Sequence, residues 1–343
     1  MTMFSICIPA HNAVRNIEYA LLSIAKQSFT DWEVIIVDDG STDNLISYLN
    51  EQTIVPHDRL KCYSFESNNG PFLARRKAFS LATGKYIISL DSDDEFNHVE
   101  MLNRLTDVIK NQQPDVIFYN ASTVRGGKEK WIDYSGIKIH DGWMDRQSLI
   151  SFFAGSHMLN NLWQKAVKRT CLSTELLECG RGLKMCEDRL ETAYIFNKAR
   201  SFYLLDFPFY YYRTNPASTT HSFFALEYCK QQAYVEESIS KIIDFDKNER
   251  TMQSRAFLST WADDLKILNK ERTRREYVKC LRYMSDASFF TSSINKGGIL
   301  KMRLDKIVSI LLLRRKCFLA CYLWTKLLIS LTFLKKKIMN KIF

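Results

Sequence analysis

Along the first 120 residues, short apolar runs alternate with stretches whose hydrophobic positions recur at helical spacing. MFSICI (residues 3–8) reads as a strand, and in the following HNAVRNIEYALLSIAKQS the residues Val14, Ile17, Ala20, Leu21 and Ile24 share one helical face. WEVIIVDD is a second strand, after which GSTDNLISYLNEQ opens a helix with Ser41 or Thr42 as its N-cap. LKCYSF, KYIISL and DVIFYN read as further strands, with PFLARRKAFSLA and VEMLNRLTDVIKNQ as intervening helices. Near-continuous apolar strands alternating with helices predict an α/β fold with a mostly parallel sheet covered on both faces.

Beyond about residue 120 the alternation breaks down. RGGKEKWIDYSG reads as a loop or hairpin, MCEDRLETAYIFNKA as a helix and FYLLDFPFYYYR as one or two strands; residues 222–295 are mainly helical by pattern. No internal repeat or low-complexity segment interrupts the chain.

Ligands of such sheets bind beyond the carboxyl ends of the strands, and two acidic clusters fall at what read as neighbouring strand ends. Asp38 and Asp39 follow EVIIV; Asp91, Asp93, Asp94 and Glu95 follow YIISL. Single acids at such places serve as turn formers and helix caps, and Glu95 reads as a helix-start residue. Two crowded clusters instead repel unless a hard cation sits between them, which points to Mg2+ or Mn2+ bridging a diphosphate. No Gly-x-Gly-x-x-Gly follows the first strand and no Walker lysine loop is present, so neither a dinucleotide site nor a P-loop is expected.

These residues together resemble an inverting family 2 glycosyltransferase of the GT-A fold, of the bacterial surface-polysaccharide type. The likeness covers roughly residues 3–220 and rests on SICIPAHNAVRNIEYALLSIAKQSFTDWEVIIVDDGSTD, NNGPFLARRKAFSLATGKYIISLDSDDE and CEDRLE. It implies a Rossmann-like sheet with helices on both faces and a helical C-terminal extension. Pro9, Ala10 and Asn12 match the loop lining the nucleotide base, and Asp39 or Asp38 the carboxylate that meets uridine. Arg75 matches the arginine of the family's Ala-Arg-Asn segment, although Arg76 stands where Asn is usual and Ala78 where Gly is common.

Asp91 and Asp93 match the Asp-x-Asp motif, with Asp93 the first metal ligand, and Asp94 is implied to orient the donor sugar. Glu187 and Asp188 match the catalytic-base motif, Asp188 being the base; read without the resemblance, they are also an acid pair suited to a helix N-terminus. His221 is a candidate late metal ligand or a structural histidine. Trp163 is a candidate for stacking on the acceptor sugar or a core residue. The implied organisation is a catalytic domain over 1–221, with its nucleotide-sugar half at 1–120 and its acceptor half at 121–221, a helical extension at 222–295 and a tail at 296–343. The implied activity is metal-dependent hexosyl or N-acetylhexosaminyl transfer from a UDP-sugar. The rival readings are a sugar nucleotidyltransferase, disfavoured by the missing Gly-rich basic loop, and a non-catalytic membrane adaptor, disfavoured by the intact acidic motifs.

Composition and charge refine this picture mainly at the C-terminus. The chain of 343 residues is 46% hydrophobic and carries a net charge of +10, yet residues 296–343 alone hold twelve Lys or Arg against one acid, Asp305, leaving the remainder near neutral. Basicity therefore belongs to the tail. Its longest uncharged run, Cys317–Thr325, is nine residues, against about 20 for a membrane span. Leucines interspersed with basic residues suit helices lying on an anionic membrane surface rather than nucleic acid, and such docking suits a lipid-linked acceptor. A plain helical cap on the catalytic domain is the alternative. The nine cysteines form no Cys-x-x-Cys pair and the N-terminus lacks a signal-peptide pattern, so reduced thiols and a peripheral location on the cytoplasmic face of the membrane are expected.

Overall fold

The computed structural model describes residues 2–172, 182–214 and 226–342. It divides into two compact units, one formed by Met1–Phe152 with Met158–Pro216, the other by Phe153–His157 with Ala217–Phe343.

In chain order the first unit contains β1 (Phe4–Ala10), α1 (Ile17–Ala25), β2 (Trp32–Asp38), α2 (Leu45–Glu51), β3 (Leu60–Ser64), α3 (Pro71–Leu81), β4 (Tyr86–Ser89) and β5 (Glu95–Phe96). It continues through α4 (Met101–Gln112), β6 (Val116–Ser122), β7 (Ile139–His140), β8 (Trp143–Met144), α5 (Arg146–Gly155), β9 (Lys165–Lys168), α6 (Glu187–Lys198) and β10 (Phe202–Tyr211). The strands form one sheet in the order β3-β2-β1-β4-β9-β6-β10-β8-β7, with β5 paired to β10. The long pairings β1/β2, β1/β4, β2/β3 and β6/β10 are parallel. Strands β2, β4 and β6 are buried along their whole length, as expected where helices cover both faces. Each fully buried Ile or Val in them contributes about 2 kcal/mol of hydrophobic stabilisation.

Three expectations are corrected. Strand β1 lies between β2 and β4, so the two acidic clusters flank a shared central strand rather than adjoining one another. Glu95 starts no helix: it belongs to β5, where it pairs with Tyr211 of β10, and its carboxylate meets Arg125. Nor do Ser41 and Thr42 cap α2, whose N-cap is Asn44 at φ 61° without a side-chain capping bond; both are drawn instead to Asn12, as described below.

Strand β9 is an unforeseen element. It runs antiparallel between β4 and β6, pairing Ile88 and Ile117 alike with Ala166. Its Lys165 is fully buried because the ammonium donates to Leu159 O (2.9 Å), Asn161 O (2.7 Å) and Thr192 Oγ1 (3.0 Å). Burial nevertheless pushes its pKa down to about 7, against the pull of Asp188 and Glu191.

The second unit is helical: α7 (Leu226–Ile242), α8 (Lys247–Glu271), α9 (Arg274–Asp286), α10 (Ser288–Asn295), α11 (Leu304–Arg314) and α12 (Phe318–Ile342). Capping boxes start two of them, Asp246 with Glu249 for α8 and Thr273 with Glu276 for α9. Trp261, Leu265, Tyr277, Leu281, Phe290 and Ile310 share one core, and Trp261 Nε1 donates to Gln232 Oε1 at 2.7 Å. Leu313 and Cys321 are fully buried in the same core, and Asn269 Nδ2 of α8 donates to Tyr322 O at 2.8 Å. The basic tail is thus partly built into the helical unit. Among the described residues no helix is long and apolar enough to cross a membrane.

Candidate active site

The loops that leave the carboxyl ends of β1, β2 and β3 are laced together by side chains. Asn12, at φ 50°, donates its N–H to Ser41 Oγ (2.8 Å) and accepts Thr42 N–H on Oδ1 (2.9 Å). His11 Nδ1 lies 2.9 Å from Asp39 O and must carry the proton, since a carbonyl can only accept. Asp38 accepts Ser41 N–H (3.0 Å) and Ser64 Oγ–H (2.7 Å); Asp39 accepts the N–H groups of Asn69 (2.7 Å) and Gly70 (2.8 Å), which enter α3. Pro9 and Ala10 are the last pairs of β1 against β2, opposite Val37 and Asp38. Gly40 makes this closeness feasible: it sits at φ +66°, and a Cβ there would fall 2.5 Å from the Ser67 carbonyl carbon.

The second cluster begins one residue beyond Leu90, whose N–H still bonds Cys7 O of β1 at 3.0 Å. A turn closes on Asp94 N–H to Asp91 O (3.1 Å). Asp94 is buried, with Oδ2 accepting from the Tyr210 hydroxyl (2.6 Å) and Oδ1 from Arg213 N–H (2.8 Å). Burial, then the charge of Asp91, push its carboxyl up to about 8 despite those bonds. Asp91 rises to about 6 through burial, with Asp188 and Asp93 adding to the rise and Arg75 opposing it. Asp93 is half-buried.

Arg75 joins this cluster to the distant acid pair. It is carried on α3, and its guanidinium reaches Asp188 Oδ1 at 2.7 Å, Glu187 Oε1 at 3.4 Å and Asp91 Oδ1 at 3.4 Å. Burial opposes its charge, but Asp188, Asp91 and Glu187 together raise its pKa above the ordinary arginine value. Glu187 and Asp188 occupy the first turn of α6, where the helix dipole favours anions. Burial and Asp188 push Glu187 up to about 7 against the effect of Arg75. One turn on, Arg76 pairs with Glu191 at 3.0 Å, both buried. Sequence reasoning missed this second clamp; its signal was the double arginine of LARRKA on a helix with few other polar residues.

Trp163 is corrected as a sugar-stacking residue. It is 4% exposed, with its ring stacked on Tyr210 (centroids 4.5 Å, 19°) and on Trp131 (5.7 Å, 17°), so no face is open. Tyr210 and Trp131 had not been singled out from sequence. His221 lies outside the described residues.

Among the described residues no group of three or more His, Cys, Asp or Glu forms a ready-made metal cage. Mg2+ and the similar Mn2+ need none: they are held through one or two carboxylates with water and substrate phosphates. Asp93 and Asp91 supply hard oxygen donors of that kind, and the mutual repulsion that raises Asp91 is what a cation would relieve. The residues fit the metal.

The profile of glycosyl transferase family 2 matches residues 5–170. Similar proteins include an uncharacterized glycosyltransferase of Haemophilus influenzae, 36% identical over 112 residues, which are 32% of this chain and 44% of that protein. The putative teichuronic acid biosynthesis glycosyltransferase TuaG of Bacillus subtilis is 36% identical over 103 residues, 30% of this chain and 40% of that protein. The chain thus spans less than half the length of these relatives. YibD of Escherichia coli, an uncharacterized glycosyltransferase, is 28% identical over 222 residues, covering 62% of this chain and 61% of its own. The fold matches Staphylococcus aureus TarS 1–349 in complex with UDP-GlcNAc with a TM-score of 0.73 at 19% identity, over 95% of this chain and 91% of that one. It also resembles the mannosyltransferase PcManGT of Pyrobaculum calidifontis, solved with GDP-Man and Mn2+, at a TM-score of 0.52 and 14% identity over 94% and 86% of the two chains. The sheet order, the acids at its carboxyl edge and the matched profile converge: residues 5–170 are similar to glycosyl transferase family 2, and the fold is GT-A.

Proposed function

We propose that the protein moves a hexosyl or N-acetylhexosaminyl group from a UDP-sugar to an acceptor hydroxyl with inversion at the anomeric carbon. The observation that carries this reading is the Arg75 bridge, which brings Asp91 of the Asp-x-Asp motif and the Glu187–Asp188 pair onto one guanidinium. Donor-diphosphate chemistry and proton abstraction are then served by groups a few ångströms apart.

The β1 and β2 loops with Pro9, Ala10, Asn12, Asp38 and Asp39 would hold the nucleoside. Asp93 and Asp91 would hold Mg2+ or Mn2+, which when bound supplies positive charge for the departing diphosphate. Asp94, fixed by Tyr210 and Arg213, braces the turn beneath the donor sugar. Asp188 accepts the acceptor hydroxyl's proton as that oxygen attacks the face opposite UDP, a task that general-base catalysis rewards by about 10²–10⁴-fold. Arg75 holds the Asp188 carboxylate in place through their 2.7 Å ion pair. A TarS fold neighbour bound to UDP-GlcNAc supports a UDP-linked donor, and likeness to a putative teichuronic acid biosynthesis glycosyltransferase supports a polysaccharide acceptor, as in O-antigen, capsule or lipopolysaccharide assembly.

The tail supports a lipid-linked acceptor at the cytoplasmic face of the membrane. Leu319, Leu323, Leu327 and Leu331 recur every fourth residue of α12, each about half exposed, beside the strongly basic segment 296–343. The direct test is UDP release and sugar transfer by the purified chain with a panel of UDP-sugars, Mn2+ and lipid-linked saccharide extracts. Wild type should turn over, while Asp93→Ala should lose metal-dependent UDP binding. Absence of turnover with every UDP-sugar in folded protein would refute the reading.

A further inference from the structure

We propose that Trp131 is a saccharide-stacking platform beside the acidic site, taking the C–H face of a pyranose ring; this deepens the glycosyltransferase reading and rests on it. Trp131 is 48% exposed, in the loop between β6 and β7. It is nonetheless held firmly. Its N–H donates to Ala121 O at 2.9 Å, and the next residue, Ile132, is clamped by Asn120, which accepts Ile132 N–H and donates to Ile132 O at 2.8 Å each. Lys130 on its other side pairs with Asp206.

The ring is the outer member of a stack. Trp131 lies on Trp163, Trp163 on Tyr210, and the Tyr210 hydroxyl donates to Asp94 (2.6 Å) and accepts Asp91 N–H (3.3 Å). Tyr212 closes the edge, its ring centroid 4.8 Å from that of Trp131. Burial and then the charges of Asp94, Asp93 and Asp91 raise the Tyr212 hydroxyl, which places Trp131's neighbour within electrostatic reach of the acids. Two ring-stacking steps separate the exposed face from the residue that braces Asp94, a distance of the order of a short saccharide.

Sugar is the occupant that this surface fits. A single aromatic face is far too small for a stable protein interface, which needs about 800 Å² per partner. Exposed Lys128, Glu129, Lys130 and Asp133 flank it in the chain, a loop of mixed charge unsuited to a bilayer but suited to ring hydroxyls. The negative face of the indole attracts polarised C–H groups, and a ring fixed in advance loses little entropy on binding.

Saturation-transfer NMR on the full chain, with UDP and Mn2+ present, reads binding of methyl and octyl pyranosides without requiring turnover; titration of UDP and UDP-GlcNAc reads the donor side. In wild type, the strongest transfer should fall on ring C–H protons of at least one glycoside. Trp131→Ala should weaken that binding by about tenfold, with Trp131→Phe close to wild type and UDP affinity unchanged in both. If the donor sugar is what stacks, the loss appears instead as UDP-GlcNAc falling toward the affinity of UDP. A wild type that binds no pyranoside through either arm, or a Trp131→Ala chain matching wild type on glycosides and UDP-GlcNAc alike, overturns the proposal. A chain that stacks sugars through Trp131 yet transfers none would leave the platform standing and refute the transferase.

Discussion

Arg75 concentrates the physical tension of the site: one buried cation compensates Asp91, Glu187 and Asp188. Removing it leaves carboxylates facing each other with their counter-charge gone, and breaking such a partly buried network costs about 3 kcal/mol or more. Arg75→Ala should therefore lower the urea midpoint markedly as well as abolish activity, whereas Arg75→Lys, which keeps charge but loses the planar fork, should recover much of the stability and little of the activity. Equal midpoints for Arg75→Ala and wild type would contradict the bridging role. Much at this scale was legible beforehand, because carboxylates clustered within a few residues at a strand end announce themselves. Arg75 was legible only as a motif position. That its charge is buried, and that Arg76 grips Glu191 one turn along, depends on the approach of α3 to α6, which no local pattern encodes. Trp131 was hidden for the opposite reason: in RGGKEKWIDYSG it looks like a lone aromatic in a polar loop, and only the fold sets it on Trp163.

At the scale of elements, periodicity found the long strands and helices and failed on short pieces held by tertiary contacts. Strand β9 is four residues with two lysines, and it is a strand because β4 and β6 bind its two edges. Strand β5 exists through its pairing with β10, and α2 begins without the expected Ser or Thr cap because Asn12 takes both hydroxyl-bearing residues. Where local chemistry suffices, as in the capping box of α9, the consequence is simple. Thr273→Ala should cost about 1 kcal/mol in chemical denaturation, and Thr273→Ser almost nothing; equal losses for both would contradict a capping role.

Helix α8 carries a subtler feature. Asp264 is buried beside Gln232, and burial pushes its carboxyl up to about 7. Its folded pKa exceeds the unfolded value of about 3.9, so its favourable contribution is complete below that value and is lost as pH rises through 7. Asp264→Asn should flatten the stability profile in this window and be the more stable form at pH 8. A profile parallel to wild type would exclude Asp264 as its source.

For the molecule as a whole, the segments 222–295 and 296–343 share one helical core. Composition located the tail's charge but could not show that Ile310, Leu313 and Cys321 are buried while the leucine stripe of α12 faces outward. Truncating the tail would therefore unmake a core. The appropriate probe is Leu323→Glu with Leu327→Glu in full-length protein, which should reduce sedimentation with phosphatidylglycerol vesicles and leave the folded state intact; added salt should weaken wild-type binding, at about 1 kcal/mol per basic residue engaged. Undiminished sedimentation of the double variant would dismiss membrane docking through this face.

In the proposed division of labour, Asp93 and Asp91 serve the diphosphate and Asp188, bridged to Asp91 by Arg75, the proton. Asp188→Asn tests it most directly, since the amide keeps the shape of the side chain but cannot accept a proton as a base. Titration of UDP-sugar with Mn2+ and single-turnover transfer should be measured on the same preparation. Donor affinity is expected to stay close to wild type while transfer falls by about 10²–10⁴-fold; transfer at the wild-type rate would rule Asp188 out as the base.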